Sequence, residues 1–338
     1  MNRSVYSLKK AGSFKNLHLT TENLADPQKD EVQISVKAIG LNFADIFAIQ
    51  GLYSATPKGI FIPGLEFSGM IHKVGKDVTD YKIGDRVMGV TRFGAYADFL
   101  NIDADYVFRL PEDWSFSEGA AFPVQAITAY YALFNLGDLR ASDTVLIHSA
   151  AGGVGLLANR LAKKAGAYTI GTVSSVEKIE LLKKENYDAY IVRDKNFENN
   201  LQQAIKGREL NLILECIGGE IFKTGYKLLT PMGRIVVYGA ATFAQNLNSP
   251  NPLKLLWKYL NRPVLDPLKM MSENKSVMAF NLIWLYDKKA FLKSVFREVV
   301  NQNLQQPLVG HEFEFKNMMQ ALELFRSGKT SGKVIVKV

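Results

Sequence analysis

The chain has 338 residues, 47% of them hydrophobic, with a formal net charge of +8 and a single cysteine. That length supports two hydrophobic cores and so two domains, while one cysteine excludes an internal disulfide framework and fits a reducing, cytoplasmic setting. The positive charge is spread along the chain without a dense basic block interleaved with aromatics, which argues against nucleic acid as a partner, and no apolar run approaches the roughly 20 residues that span a bilayer.

In chain order, residues 31–41 alternate polar and apolar, as a half-buried strand should. A short helix is expected over Phe43–Ile49, with Asn42 at its N-cap and Asp45 in its first turn. Further strands are expected over 67–74, 86–90 and 95–100, punctuated by Gly64, Gly69, Gly75, Gly84 and Gly94. This texture describes an irregular antiparallel domain, a partly open β-barrel.

The pattern changes at Thr144–Ile147, a β-branched apolar run that stops at Ser149-Ala150-Ala151-Gly152-Gly153-Val154-Gly155 and passes at once into a helical pattern over 156–164. A glycine-rich turn between a strand and a helix is the context in which such a run binds a dinucleotide. Gly152 lets the backbone approach a pyrophosphate, Gly155 lets the helix pack on its strand, and the turn of Ala151, Gly152, Gly153 and Val154 offers free N–H groups at a helix N-terminus. Ala150 stands where the first glycine of the strict fingerprint would be. Strand and helix then alternate: strands over Tyr168–Val173, Ala189–Val192, 212–216 and 234–238, helices over 176–186, 197–206 and 221–229. Short apolar runs between amphipathic helices predict a parallel sheet covered on both faces, a doubly wound α/β domain.

The second of these strands ends Thr172-Val173-Ser174-Ser175, without the carboxylate that usually meets the ribose hydroxyls of NAD. Ser174, Lys178 and Arg193 supply a hydroxyl and two cations instead, which suits the 2′-phosphate of NADP(H). The alternative reading makes Ser174 a helix cap and leaves Lys178 and Arg193 as solvated charges. Residues 251–274 are rich in Leu, Trp, Met and Lys. A helix there is expected to bury Leu253, Leu256, Trp257 and Leu260 on one stripe, as a lid or dimer-facing helix, or to lie against an anionic membrane. The tail from Gly332 to Val338 reads as a strand that returns to the first domain, giving a division into 1–124, 125–276 and 277–338.

Gly40-Leu41-Asn42-Phe43-Ala44-Asp45, Gly51-Leu52-Tyr53, Pro63-Gly64-Leu65-Glu66-Phe67-Ser68-Gly69, Gly84-Asp85-Arg86-Val87, the glycine turn and Gly332-Lys333-Val334 occur in this order. Together they resemble the medium-chain dehydrogenase/reductase superfamily in its zinc-independent quinone oxidoreductase branch, and within it the vesicle amine transport protein homologues. The resemblance covers nearly the whole chain. It implies a GroES-like domain plus a Rossmann domain, paired through the latter into a homodimer. It also implies that Thr128 faces the cofactor, that Gly239 lets the backbone approach it, and that Phe280 and Leu282 belong to the segment whose backbone holds the carboxamide. Lys333 matches a basic residue expected to reach the adenosine phosphate.

Zinc-using relatives place a Cys or Asp, a His and a Glu around the metal. Here Leu65 stands beside Glu66 where the histidine is expected, Asn42 and Phe43 occupy the region of the first ligand, and the four histidines are scattered. No metal site is expected, since zinc needs about three protein ligands even in a catalytic site. Without a Lewis acid, a quinone or enone is a better hydride acceptor than a simple ketone. Tyr53 is the candidate proton donor, or a loop anchor. Asn42 is the candidate for fixing a carbonyl, or a helix cap. Asp45 either bridges to Tyr53 or answers the helix dipole. The competing function is lipid binding at a membrane surface on the same fold, because one scaffold hosts many activities.

Overall fold

The computed structural model describes residues 1–244 and 247–338. Its centre is a six-stranded parallel sheet in the order Ala189–Val192, Tyr168–Val173, Thr144–Ile147, Leu212–Glu215, Arg234–Val237, Ser276–Ala279. Thr144–Ile147 is buried along its whole length, as a strand covered on both faces must be. Its neighbours on the two sides are the next strand in the chain and a later one, so the strand order reverses here. Crevices for ligands open at the carboxyl ends of strands at such a switch point. The glycine turn follows this strand directly and leads into the helix Gly153–Lys164. A Cβ on Gly155 would stand 2.6 Å from the Ser149 carbonyl oxygen, so only glycine lets helix and turn meet this closely.

The second sheet runs Val309–Glu314, Lys333–Lys337, Glu31–Gly40, Glu66–Val74, Arg86–Val90, Val107–Arg109, with Phe99–Asp103 also paired to Glu31–Gly40. Its outer strands do not meet, which makes the barrel partly open as expected. The tail returns to this sheet antiparallel to Glu31–Gly40. Phe99–Asp103 replaces the strand expected over 95–100, because Ala95 to Ala97 turn inward and the Tyr96 N–H donates to the Pro63 carbonyl. The hairpin Asn2–Leu8 and Leu17–Asn23 has no counterpart in the sequence reading, since its second strand is mostly exposed and lacks an apolar rhythm.

The boundary expected at 276/277 falls inside a strand. A return to the first domain at 277 would cut Ser276–Ala279, which pairs with Arg234–Val237, and the helix Lys289–Val300 packs on Pro123–Tyr130. The chain rejoins the other sheet only at Val309–Glu314. Residues 251–274 do form helices, Pro252–Leu260 and Pro267–Glu273, but the expected stripe is not buried: Leu253 is 77% exposed, Trp257 65% and Leu260 68%. Periodicity marks the apolar face of a helix without saying what covers it, and no described residue of this chain does so.

Candidate functional site

The cleft at the switch point encloses about 450 Å³. Ala151, Gly152, Gly153 and Val154 line its middle. A side chain on Gly153 would come within 3.0 Å of Gln125 Cγ, so the turn presents backbone there. The first N–H groups of the helix that follows are left for an anion. The Gly332 N–H donates to the Ala151 carbonyl at 2.8 Å, which docks the start of the last strand on this turn.

Ser174, Lys178 and Arg193 form one end of the cleft. Lys178 is half-buried and its Nζ donates to the carbonyls of Gly328 and Thr330, each at 2.8 Å. Arg193 donates Nη1 to the Thr172 carbonyl at 3.0 Å and to Thr172 Oγ1 at 2.8 Å. Burial and then the neighbouring Arg193 charge lower the pKa of Lys178, a sign of how close the two cations lie. Neither is in an ion pair with a carboxylate among the described residues. Glu177 hydrogen-bonds Ser175, which holds its carboxyl below the usual range, and neither it nor the other acids nearby in sequence, Glu180 and Asp194, line the cleft.

The other end is apolar, walled by Phe47, Leu65, Phe280, Leu282, Ile283 and Tyr286. Thr128 lines the floor between the ends, and Gly239 lines the wall, where a side chain would press on Cys216 Cβ at 3.0 Å. Tyr53 reaches in from the loop after Phe43–Ile49 and donates its hydroxyl to Asn281 Oδ1 at 2.5 Å. Burial pushes the Tyr53 phenol up to about 12, against the pull of that bond and with help from the Asp45 charge. The phenol therefore keeps its proton at neutral pH.

Asp45 does not bridge to Tyr53. Its Oδ2 accepts from the Asn42 N–H at 2.8 Å and from the Tyr96 hydroxyl at 3.1 Å, in full burial. Burial raises the Asp45 carboxyl to about 7, opposed by the Asn42 N–H, Lys333 and Tyr96. It closes the helix N-terminus and acts on Tyr53 through charge alone.

Asn42 lines the cleft but has no group to spare. Its Nδ2 donates to Gly40 O at 3.2 Å and to Glu66 Oε1 at 2.9 Å, and its Oδ1 accepts from Lys333 Nζ at 2.9 Å and Gln125 Nε2 at 2.8 Å. Both its donors and both its lone pairs are used, so it holds the floor together instead of gripping a carbonyl. Lys333 also departs from expectation. Its ammonium, in a residue 3% exposed, donates to Asn42 and to the fully buried Glu66, so it is committed there and not to an adenosine phosphate. Burial lowers the pKa of Lys333 and Glu66 opposes that shift. Gln125, Asn281 and Tyr96 went unrecognised as site residues, because each acquires its role from a partner far away in sequence.

The comparisons with known proteins agree with this fold. Residues 28–112 match the family model of the alcohol dehydrogenase GroES-like domain, and 153–264 that of the zinc-binding dehydrogenase. The mouse synaptic vesicle membrane protein VAT-1 homolog-like is 30% identical over 334 residues, 97% of this chain and 79% of the relative. The chain belongs to the medium-chain dehydrogenase/reductase superfamily. Among solved structures, the human VAT-1 homolog-like protein superposes with a TM-score of 0.85 at 29% identity, covering 100% of this chain and 98% of the other. The Escherichia coli quinone oxidoreductase complexed with NADPH gives 0.85 at 26%, covering 100% of both.

The zinc-binding dehydrogenase match makes a metal worth testing against the residues present. Glu66 Oε1 accepts from Lys333, Asn42 and Gln125, and Oε2 from the Val124 N–H at 2.9 Å. Among the described residues there is no group of three His, Cys, Asp or Glu side chains able to hold a metal ion. The donor set does not fit zinc: in this superfamily member the cation beside Glu66 is an ammonium.

Proposed function

We propose that this chain is an NADPH-dependent, zinc-independent oxidoreductase that transfers hydride to a quinone or another conjugated carbonyl. One observation carries the reading: a single cleft has two cations without acid partners at one end and a neutral phenol in an apolar wall at the other. The likeness to a quinone oxidoreductase complexed with NADPH supports it.

Bound NADPH would supply the hydride. Lys178, Arg193 and Ser174 hold the 2′-phosphate, where no acid repels it. The backbone of 151–154 holds the pyrophosphate at the helix N-terminus. Thr128, Phe280 and Leu282 bound the nicotinamide and keep water out. As charge develops on the acceptor oxygen, Tyr53 Oη turns from Asn281 and delivers its proton, and Asn281 Oδ1 keeps that proton aligned beforehand. Glu66 is paired with the Lys333 ammonium and bonded to Asn42, Gln125 and the Val124 N–H in place of a metal, so an isolated ketone goes without a Lewis acid. A conjugated acceptor spreads the charge itself.

NADPH oxidation with a panel of quinones and enones tests the function. Binding of NADPH without turnover of any member would overturn it. Tyr53→Phe is expected to lower kcat on the order of 100-fold, as loss of a general acid does, while the Kd for NADPH stays within twofold. An unchanged kcat would make Tyr53 a wall residue.

A second reading covers the outward helices. Leu253, Trp257, Leu260 and Leu268 form an apolar surface, with Lys254, Arg262 and Lys269 beside it. An apolar face edged with basic side chains suits an anionic membrane surface. No helix among the described residues is long and apolar enough to cross a bilayer, so the contact would be peripheral. Co-sedimentation with vesicles containing phosphatidylserine, lost on Trp257→Glu, is the expected result. Absence of binding at low salt together with sedimentation as a dimer would assign the surface to a second copy, next to the free edge of Ser276–Ala279.

A further inference from the structure

Beneath the cation end of the cleft lies a buried polar chain that the proposed reaction does not use. Its members sit at the ends of four successive strands of the parallel sheet: Arg193 after Ala189–Val192, Thr172 in Tyr168–Val173, His148 after Thr144–Ile147 and Glu215 in Leu212–Glu215. Arg193 Nη1 lies 2.8 Å from Thr172 Oγ1, which lies 2.8 Å from His148 Nδ1, and His148 Nε2 is 3.4 Å from Glu215 Oε2. Glu215 Oε1 accepts from the N–H groups of Ile217 and Gly218. His148 and Thr172 are fully buried and Glu215 nearly so.

The Arg193 end and the neutral imidazole fix the direction of the two hydrogen bonds. A guanidinium only donates and a carboxylate only accepts. Thr172 Oγ1 therefore accepts from Arg193 and gives its own proton to His148 Nδ1, which leaves the neutral ring with its proton on Nε2, facing Glu215 Oε2 at 3.4 Å without a hydrogen bond between them. Burial, opposed by Glu215, lowers His148 to about 4, so the neutral ring this arrangement needs is present at physiological pH. Glu215 thus balances the Arg193 charge across two uncharged groups instead of pairing with it. The guanidinium's Nε and Nη2 take no partner among the described residues, and Arg193 lines the cleft.

We propose that Thr172 and His148 are positioning residues for cofactor specificity, holding Arg193 with its unused donors toward a phosphate monoester on the ribose of a bound dinucleotide. This rests on the NADPH reading above and deepens it.

The test is calorimetric titration of wild type, Thr172→Val, Arg193→Ala and the double variant with NADPH and with NADH. Thr172→Val is expected to weaken NADPH about tenfold while NADH changes less than twofold, with Thr172→Ser restoring wild-type affinity. In the Arg193→Ala background Thr172→Val should have no further effect, because its action passes through Arg193. Equal weakening of both dinucleotides, or no change in either, overturns the proposal while leaving the NADPH reading intact. A wild-type protein with no preference for NADPH overturns that reading and the proposal with it. If Thr172→Val does not fold, His148→Gln removes the same bond from the other side and is read by the same ratios.

Discussion

Lys333→Met is expected to destabilise the fold by about 3–5 kcal/mol, the cost of leaving one member of a buried ion pair without its partner. Glu66 is fully buried, and Lys333 is the only cation among its four donors. The remaining amides of Asn42 and Gln125 and the Val124 N–H solvate the carboxylate without neutralising it. Packing on the Gly40 side is tight: a Cβ there would already stand 2.9 Å from both Glu66 Oε1 and Lys333 Cε. Adding Glu66→Gln should recover most of the loss, since replacing both members of a buried pair by neutral groups is often close to neutral. Urea denaturation of the two single variants and the double checks this. Equal loss in Lys333→Met and in the double variant would show that the lysine stem, not the charge, supports the floor.

The second large effect is expected from Lys178→Ala combined with Arg193→Ala. Two charge-assisted contacts to a phosphate are worth together about 3 kcal/mol after desolvation, which is roughly 100-fold in Kd. The loss should fall on NADPH alone, with NADH held within about threefold, because both cations stand at the end of the cleft away from Tyr53. Fluorescence titration with the two reduced cofactors measures it. A parallel loss of both would mean that Lys178 matters through its bonds to Gly328 and Thr330, which tether the approach to the last strand.

What the sequence disclosed and what it hid divide along sequence separation. Thr144–Ile147, the glycine turn and the helix behind it are local patterns, each dictated by residues within a dozen positions, and the parallel sheet follows from repeating that unit. The substrate end is assembled from afar. Tyr53 finds Asn281 across 228 positions and Glu66 finds Lys333 across 267, and no periodicity announces such a meeting. The resemblance points Lys333 to the adenosine end without revealing Glu66, and local sequence offers Asp45 the nearby Tyr53 when its partner is Tyr96. The helix Pro123–Tyr130 escapes sequence reading for the opposite reason: it is buried on nearly every side and shows no amphipathic rhythm. The stripe of Pro252–Leu260 is legible as a stripe, while what covers it is not written in its periodicity.

The pairing of Glu66 with Lys333 also sets a timetable for the nascent chain. At roughly 5–20 residues per second of synthesis, the carboxylate leaves the ribosome on the order of tens of seconds before the ammonium that makes its burial tolerable. The domain that begins first therefore finishes last, while the parallel-sheet domain has all its strands in one unbroken stretch and can close in the meantime. Until the final strand docks on Glu31–Gly40, the half-built barrel has an open edge and an acid that must stay in water. Completion of the cleft floor thus marks that translation has passed residue 333.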